Sequence, residues 1–254
     1  MGSIAAEIAE DIIEQRPFRP LPDQSASPEA GFAVQFEMAP IVAAAKGGVG
    51  GRKIAWNAPA LMQKFGMPHP GAGFVFSDDI CRGDSTLKLG DYAQFMMEPE
   101  ICAILAVDLA PRAGGWTREN VGEAVGRFSV AFEFLDRRGC ATDHPASIIA
   151  NNVFNAGICY DVENGMRPAD LDPTRLHAVV TRDGETLLDG VGTAPQHPLD
   201  ALAFLGNHFN AHGVTPKAGE VLMLGSHMPL TPVTQPGKFT LTIDGIGSVS
   251  FKMK

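Results

Sequence analysis

No apolar run in this chain approaches the roughly 18 residues needed to span a bilayer. The first residues, MGSIAAEIAEDIIEQ, lack the basic start and apolar centre of a secretion signal. The expected location is therefore the cytoplasm, with no membrane partner. Cysteine is scarce: Cys81, Cys102, Cys140 and Cys159 form no CxxC pair, and they read as buried free thiols in a reducing compartment. Basic charge is short as well. Twenty Lys and Arg face 29 Asp and Glu, a net charge of −9, so no surface tracks a phosphate backbone and nucleic acid is excluded as a partner. A small anionic substrate stays admissible, because a bound cation can invert the field inside a pocket. There is no GxSxG elbow and no cysteine in a protease-like context, which leaves nucleophilic acyl chemistry without support. No internal repeat or low-complexity linker divides the chain. The Pro/Ser-rich stretch 18–27 is too short and too near the N-terminus to separate two domains. The expectation is a single catalytic domain over 1–254, with a helical N-terminal part at 1–70 and a β-rich, metal-binding core at 71–254.

What is present alternates between two periods. Ile4, Ile8 and Ile12 recur at helical spacing until Pro17. A second helix is expected over 28–45, interrupted near Pro40, and a short one over 59–65. Lys46-Gly47-Gly48-Val49-Gly50-Gly51-Arg52-Lys53 reads as a glycine-dense turn, or as backbone passing close to something else. It is no phosphate loop, since Ile54 follows Lys53 where Ser or Thr is required. From Gly73 short strands dominate: 73–76, 100–107, 127–135, 177–182, 186–189, 220–224, 239–244 and 248–253. Asp183-Gly184 and Asp244-Gly245 supply hairpin turns. Helices start near Thr117 and run over 198–212, the second stopping at Gly213. The fold class is α+β with a mixed, largely antiparallel sheet.

Glu98-Pro99-Glu100 carries the sharpest chemistry. Residues two apart on a strand share a face, so both carboxylates aim at one point. A divalent cation keeps both ionised, and oxygen-only ligands favour Mg²⁺, Mn²⁺ or Ca²⁺. The bland reading is a solvated strand end. Glu133 lies between Phe132 and Phe134, where a carboxylate is costly unless it ligates or pairs with Arg137 or Arg138. Lys53 beside Ile54-Ala55-Trp56 suits proton transfer if desolvated, and otherwise packs its stem and wets its head. Asp78-Asp79 reads as a turn, or as one buried base beside one exposed acid. His208 and His212 stand four apart but lack a third ligand, and read as helix-end residues.

Taken in order, VGGRKIAWN, FSDDI, EPEICAIL, FEFLDRR, IIANN, HPLDALAFLGNHF, GEVLMLGSHM and IDGIGSVSF resemble the 2-keto-4-pentenoate hydratase family, within the fumarylacetoacetate hydrolase superfamily. The resemblance covers nearly the whole chain. It implies a β-roll or sandwich core with N-terminal helices. It also implies a Mg²⁺ or Mn²⁺ site on Glu98, Glu100 and Glu133, and a proton-shuttling Lys53 with Asp78 and Asp79. Asn152, Ser226 and Trp56 become candidate substrate contacts. The implied substrate is a small 2-oxo or 2-hydroxy unsaturated acid from aromatic-ring breakdown. The implied reaction is hydration to a 4-hydroxy-2-oxo acid. A 4-oxalocrotonate-type decarboxylase, an acylpyruvate C–C hydrolase and a non-catalytic partner subunit are the alternatives. A homo-oligomer is expected, with a paralogous hydratase or decarboxylase, or a downstream aldolase, as further partners. This chain departs from the family at Ala55-Trp56-Asn57, at Asn151, and at Arg137, where the family often has serine.

Overall fold

A computed structural model describes residues 2–254. In chain order the elements are α1 (Ile4–Ile13), α2 (Pro28–Ala45), β1 (Val49–Ala55), α3 (Pro59–Phe65), β2 (Gly71–Phe76), β3 (Ile80–Cys81), β4 (Ser85–Leu87), β5 (Phe95–Leu105), α4 (Arg118–Val121), β6 (Val125–Asp136), α5 (Pro145–Ala150), β7 (Asn155–Tyr160), β8 (His177–Arg182), β9 (Glu185–Val191), α6 (Pro198–Ala211), β10 (Val221–Ser226), β11 (Thr231–Pro232), β12 (Gly237–Ile243) and β13 (Gly247–Met253). The first sheet runs β2-β1-β10-β5-β6-β7-β3, with β11 on β5; the second runs β4-β13-β12-β8-β9. The pairs β1–β10, β3–β7 and β4–β13 are parallel and the other ladders antiparallel, which matches the mixed, largely antiparallel expectation.

The helices form where capping and spacing direct them. Ser3 accepts the Ala6 N–H at 3.2 Å, and Ile8 and Ala9 are buried on the inner face of α1. Ser27 caps α2, and Pro28 opens it. The expected break near Pro40 does not occur. Met38, Ala39 and Val42 are buried around it, so packing holds the helix together despite the missing N–H. Gln35, fully buried on α2, donates to the carbonyls of Ala72 and Ile149 at 2.9 and 2.8 Å and ties the helix to β2 and α5.

The glycine-dense segment is a turn at Lys46–Gly48, where Gly47 and Gly48 have φ +69° and +99°, and a strand from Val49 onward. β1 lies between β2 and β10, and Gly51 is its point of closest approach: an added Cβ would collide with the Val221 carbonyl. Both sequence readings hold: a turn accounts for Gly47 and Gly48, and close passage of backbone for Gly51.

The first sheet has two unlike faces. Phe132 and Phe134 turn toward the second sheet and meet Phe251 at 5.1 and 4.9 Å between ring centroids. The other face curls over a small core of Val75, Cys102, Ala131, Ile158, Val221 and Met223. Strand alternation puts Glu100 on the face of Cys102, and Glu133 on that of Ala131. The Phe-Glu-Phe triplet is thus two core residues around one that faces the curl.

Candidate metal centre and cavity

β5 and β6 pair with Glu98 opposite Glu133, and β5 and β10 pair with Glu100 opposite Ser226. This register brings the carboxylate oxygens of Glu98, Glu100 and Glu133 within 4.8 Å of one another. β1 adds Lys53, whose Nζ lies 3.0 Å from Glu133 Oε1 and 3.4 Å from the Val153 carbonyl. Glu133 therefore pairs with Lys53 and with neither neighbouring arginine. Asn155 donates to the same Oε1 at 2.9 Å, while Oε2 is buried without a partner among the described residues. Glu100 Oε2 accepts the Gly225 N–H at 2.9 Å. Gly225 has φ +106°, and a Cβ there would strike the Asn57 amide, so glycine is required.

Electrostatics single out this cluster. Burial, then the Glu133 charge, pushes Glu98 up to about 7. Burial comes first again for Glu100, held well above the usual carboxylate range with help from Glu133 and Glu98. Burial raises Glu133 too, opposed by Lys53. Once ionised, three carboxylates facing one ammonium carry two uncompensated negative charges, the charge that one divalent cation would neutralise. The orphaned Glu133 oxygen and the all-oxygen donor set fit such an ion.

Val153 reaches Lys53 through an unusual backbone. Asn152, Val153 and Phe154 have φ of +58°, +48° and +64°. A β-branched residue in the left-handed region is strained, and strain of this kind gathers at functional sites. The turn aims the Val153 carbonyl at Lys53 and sets Phe154 in the wall of a cavity of about 470 Å³. Lys53, Glu98, Glu100, Trp56, Gly225 and Ser226 line that cavity too. Trp56, at φ +53°, stacks on Phe65 of α3 with centroids 4.5 Å apart. Ser226 Oγ donates to the Met228 carbonyl at 2.6 Å.

Three expected site residues are not on this wall. Asp79 receives both of its hydrogen bonds from Lys46 Nζ at 2.9 Å, and lines a separate cavity of about 70 Å³. Burial raises its carboxyl despite Lys46. Asp78 packs against Gly47 at the same corner. Asn152 spends its amide on β2, accepting from Phe74 N–H at 2.8 Å and donating to Phe74 O at 2.9 Å. Asp136 meets no arginine side chain; it accepts the backbone N–H groups of Ala93, Gln94 and Arg138. Sequence reasoning missed Asn155 and the Val153 carbonyl, since a lone asparagine and a backbone oxygen carry no sequence signal.

No protein-family model matches the chain. Among curated proteins it is 31% identical to 2-hydroxyhexa-2,4-dienoate hydratase of Comamonas testosteroni over 80% of this chain and 77% of that one. It is 30% identical to 2-keto-4-pentenoate hydratase of Paraburkholderia phymatum over 97% of this chain and 95% of that one. Among solved structures it is similar to 4-oxalocrotonate decarboxylase from Pseudomonas putida G7, complexed with magnesium and adipate. The TM-score is 0.87 at 22% identity, covering 98% of this chain and 95% of that one. The chain shares its fold with that decarboxylase and, at a TM-score of 0.57, with a putative fumarylacetoacetate hydrolase family protein from Yersinia pestis. By sequence, the chain belongs to the 2-keto-4-pentenoate hydratase family.

Proposed function

We propose that this protein is a divalent-metal-dependent lyase that adds water to a 2-hydroxy-2,4-dienoate and releases a 4-hydroxy-2-oxo acid. The observation that carries the reading is the Glu98-Glu100-Glu133 cluster, with Glu100 and Glu133 buried, Glu98 half-buried and Lys53 in contact, opening on a cavity large enough for the acid. Glu98, Glu100 and Glu133 would hold Mg²⁺ or Mn²⁺. An ion bound there would supply Lewis-acid stabilisation of the negative charge that develops on the substrate.

The chain's own groups do the rest. Lys53 Nζ, between Glu133 Oε1 and the Val153 carbonyl, holds a proton at a fixed point on the cavity wall. It delivers that proton to C5 of the dienol and is recharged by the proton that leaves the 2-hydroxyl, which gives the conjugated ketone; water then adds across C3 and C4, its hydroxyl to C4 and its proton to C3. Trp56, Leu135, Ile148 and Val153 exclude water from the chain of carbons while leaving an open mouth. We assign no step to Asp78, Asp79 or Asn152: Asp79 is held by Lys46, Asn152 by Phe74, and Asp78 is exposed and does not line this cavity.

The test is ultraviolet decay of 2-hydroxypenta-2,4-dienoate and of 2-oxohex-3-enedioate, each with and without Mg²⁺, with CO₂ trapped. Metal-dependent loss of substrate without CO₂ supports the hydratase. Release of CO₂ from the dioate makes the chain a decarboxylase, and no turnover of either sinks the reading. A homo-oligomer and a cytoplasmic setting belong to the same proposal. The free thiols support the setting; the exposed edge strand β9 with Leu187 and Val191 supports the oligomer, which sedimentation equilibrium tests.

A further inference from the structure

We infer that Arg137 makes the inner cavity selective for acids carrying a second carboxylate at the far end of the carbon chain. This rests on the site reading above and specifies its substrate class. Arg137 follows β6 directly, four residues beyond Glu133, so about 13 Å of extended chain separates the two backbones. Its side chain lines the same cavity as Glu98 and Glu100. The cavity thus has an acidic, metal-binding end and a cationic one.

Arg137 is under-employed for a guanidinium. One terminal nitrogen donates to the Cys140 carbonyl at 3.3 Å, and the group lies 5.5 Å from the Phe154 ring centroid. Its Nε is buried with no partner among the described residues. Five N–H donors are available on such a group, and a buried donor left unmade is costly. The next residue shows the contrast. Arg138 donates to the Arg16 carbonyl at 3.1 Å and to Asn151 Oδ1 at 2.8 Å, joining the N-terminal segment to α5. Arg138 is structural, whereas Arg137 is fixed in place with donors to spare.

The surroundings agree. Between the two ends the wall is apolar, with Trp56, Phe65, Leu135, Ile148 and Met228, which suits carbon and repels a charge part-way. Lys64 of α3 adds a second positive charge at the rim, and Asp143 is the one lining carboxylate outside the metal cluster. A terminal carboxylate can take a forked pair of bonds from Arg137, the strongest arrangement open to that side chain. A methyl or vinyl end would offer the spare terminal N–H groups of Arg137 no acceptor.

The experiment is calorimetric binding of 2-oxoadipate and of 2-oxohexanoate, equal in carbon number and different at the far end, to the full chain with Mg²⁺. The unmodified protein is expected to bind the dioic acid at least tenfold more tightly. In Arg137→Gln that ratio falls to near one, with 2-oxohexanoate affinity unchanged; Arg137→Lys keeps part of the preference. Unchanged melting temperatures confirm that both variants fold. Equal binding of the two acids by the unmodified protein, or a preference that survives Arg137→Gln, overturns the inference and leaves the proposed reaction standing. Failure of both acids to bind overturns the inference together with the site reading beneath it.

Discussion

Lys53 and Glu133 meet at 3.0 Å although 80 residues separate them in the chain, and neither side chain is more than 2% exposed. A pair buried this fully is retained at a cost in desolvation. Among the described residues, the lysine is also the only cation in contact with the carboxylate cluster. Their fates under substitution are therefore linked.

Lys53→Met is expected to reduce turnover by about 10²- to 10⁴-fold, the range of a lost proton-transfer group. Mg²⁺ affinity should fall far less, since no ligand oxygen is removed. Steady-state kinetics beside calorimetric titration separates the two, and equal losses in both would mark the lysine as structural.

Glu100→Gln is expected to abolish metal-dependent turnover while keeping the fold. The amide oxygen still accepts the Gly225 N–H, so the β10 contact survives, but the charge that a cation needs is gone. Circular dichroism should be unchanged and Mn²⁺ binding lost. Full activity in this variant would remove Glu100 from the ligand set.

The raised carboxyls make metal binding compete with protons. Glu98 sits near 7, and Glu100 and Glu133 are also shifted up. Mg²⁺ affinity should rise from pH 6 to pH 8 with protons released, which titration in two buffers of different ionisation heat detects. The metal-free protein carries the opposite signature. A raised folded-state value stabilises below the unfolded value near 4.5 and is lost as pH climbs toward 7. Its melting temperature should fall over that window, and Mg²⁺ should restore it most at the alkaline end. A pH-independent Mg²⁺ affinity would count against a three-carboxylate site.

His208 pulls the other way. Burial against Phe32, 4.5 Å away between centroids, with His212 and His69 nearby, pushes it down to about 3. Its neutral form is favoured in the fold, so stability is lost as pH falls below about 6.5. By pH 5 that loss is about 2 kcal/mol. His208→Phe should flatten the acid limb of melting temperature against pH. An unchanged limb would mean that another group sets it.

Much of the site was legible because strand alternation is local. Glu98 and Glu100 share a face whatever pairs with them, and Glu133 between two phenylalanines had to be compensated. What compensates it was not legible: Lys53 arrives on β1, whose glycines suggest a turn until Val221 is seen pressing on Gly51. Asp78 and Asp79 are ambiguous for a related reason. An acidic pair after an apolar strand reads the same whether it only makes a turn or also meets a partner, and only tertiary placement puts Asp79 on Lys46 and leaves Asp78 exposed. Arg137 and Arg138 are adjacent and identical in type, yet one is consumed by backbone and amide partners and the other is not.

The order of the strands has a kinetic consequence. The carboxylate cluster and its supports come from β1, β5, β6 and β10, with the closing Gly225 contact near the end of the chain. A nascent polypeptide therefore holds the three carboxylates and Lys53 well before β10, the strand between β1 and β5, has been synthesised and the long loops closed, the slow part of folding. Ion capture would report on the last stage of assembly, and a truncated chain ending before Gly225 would lack the clasp that orients Glu100.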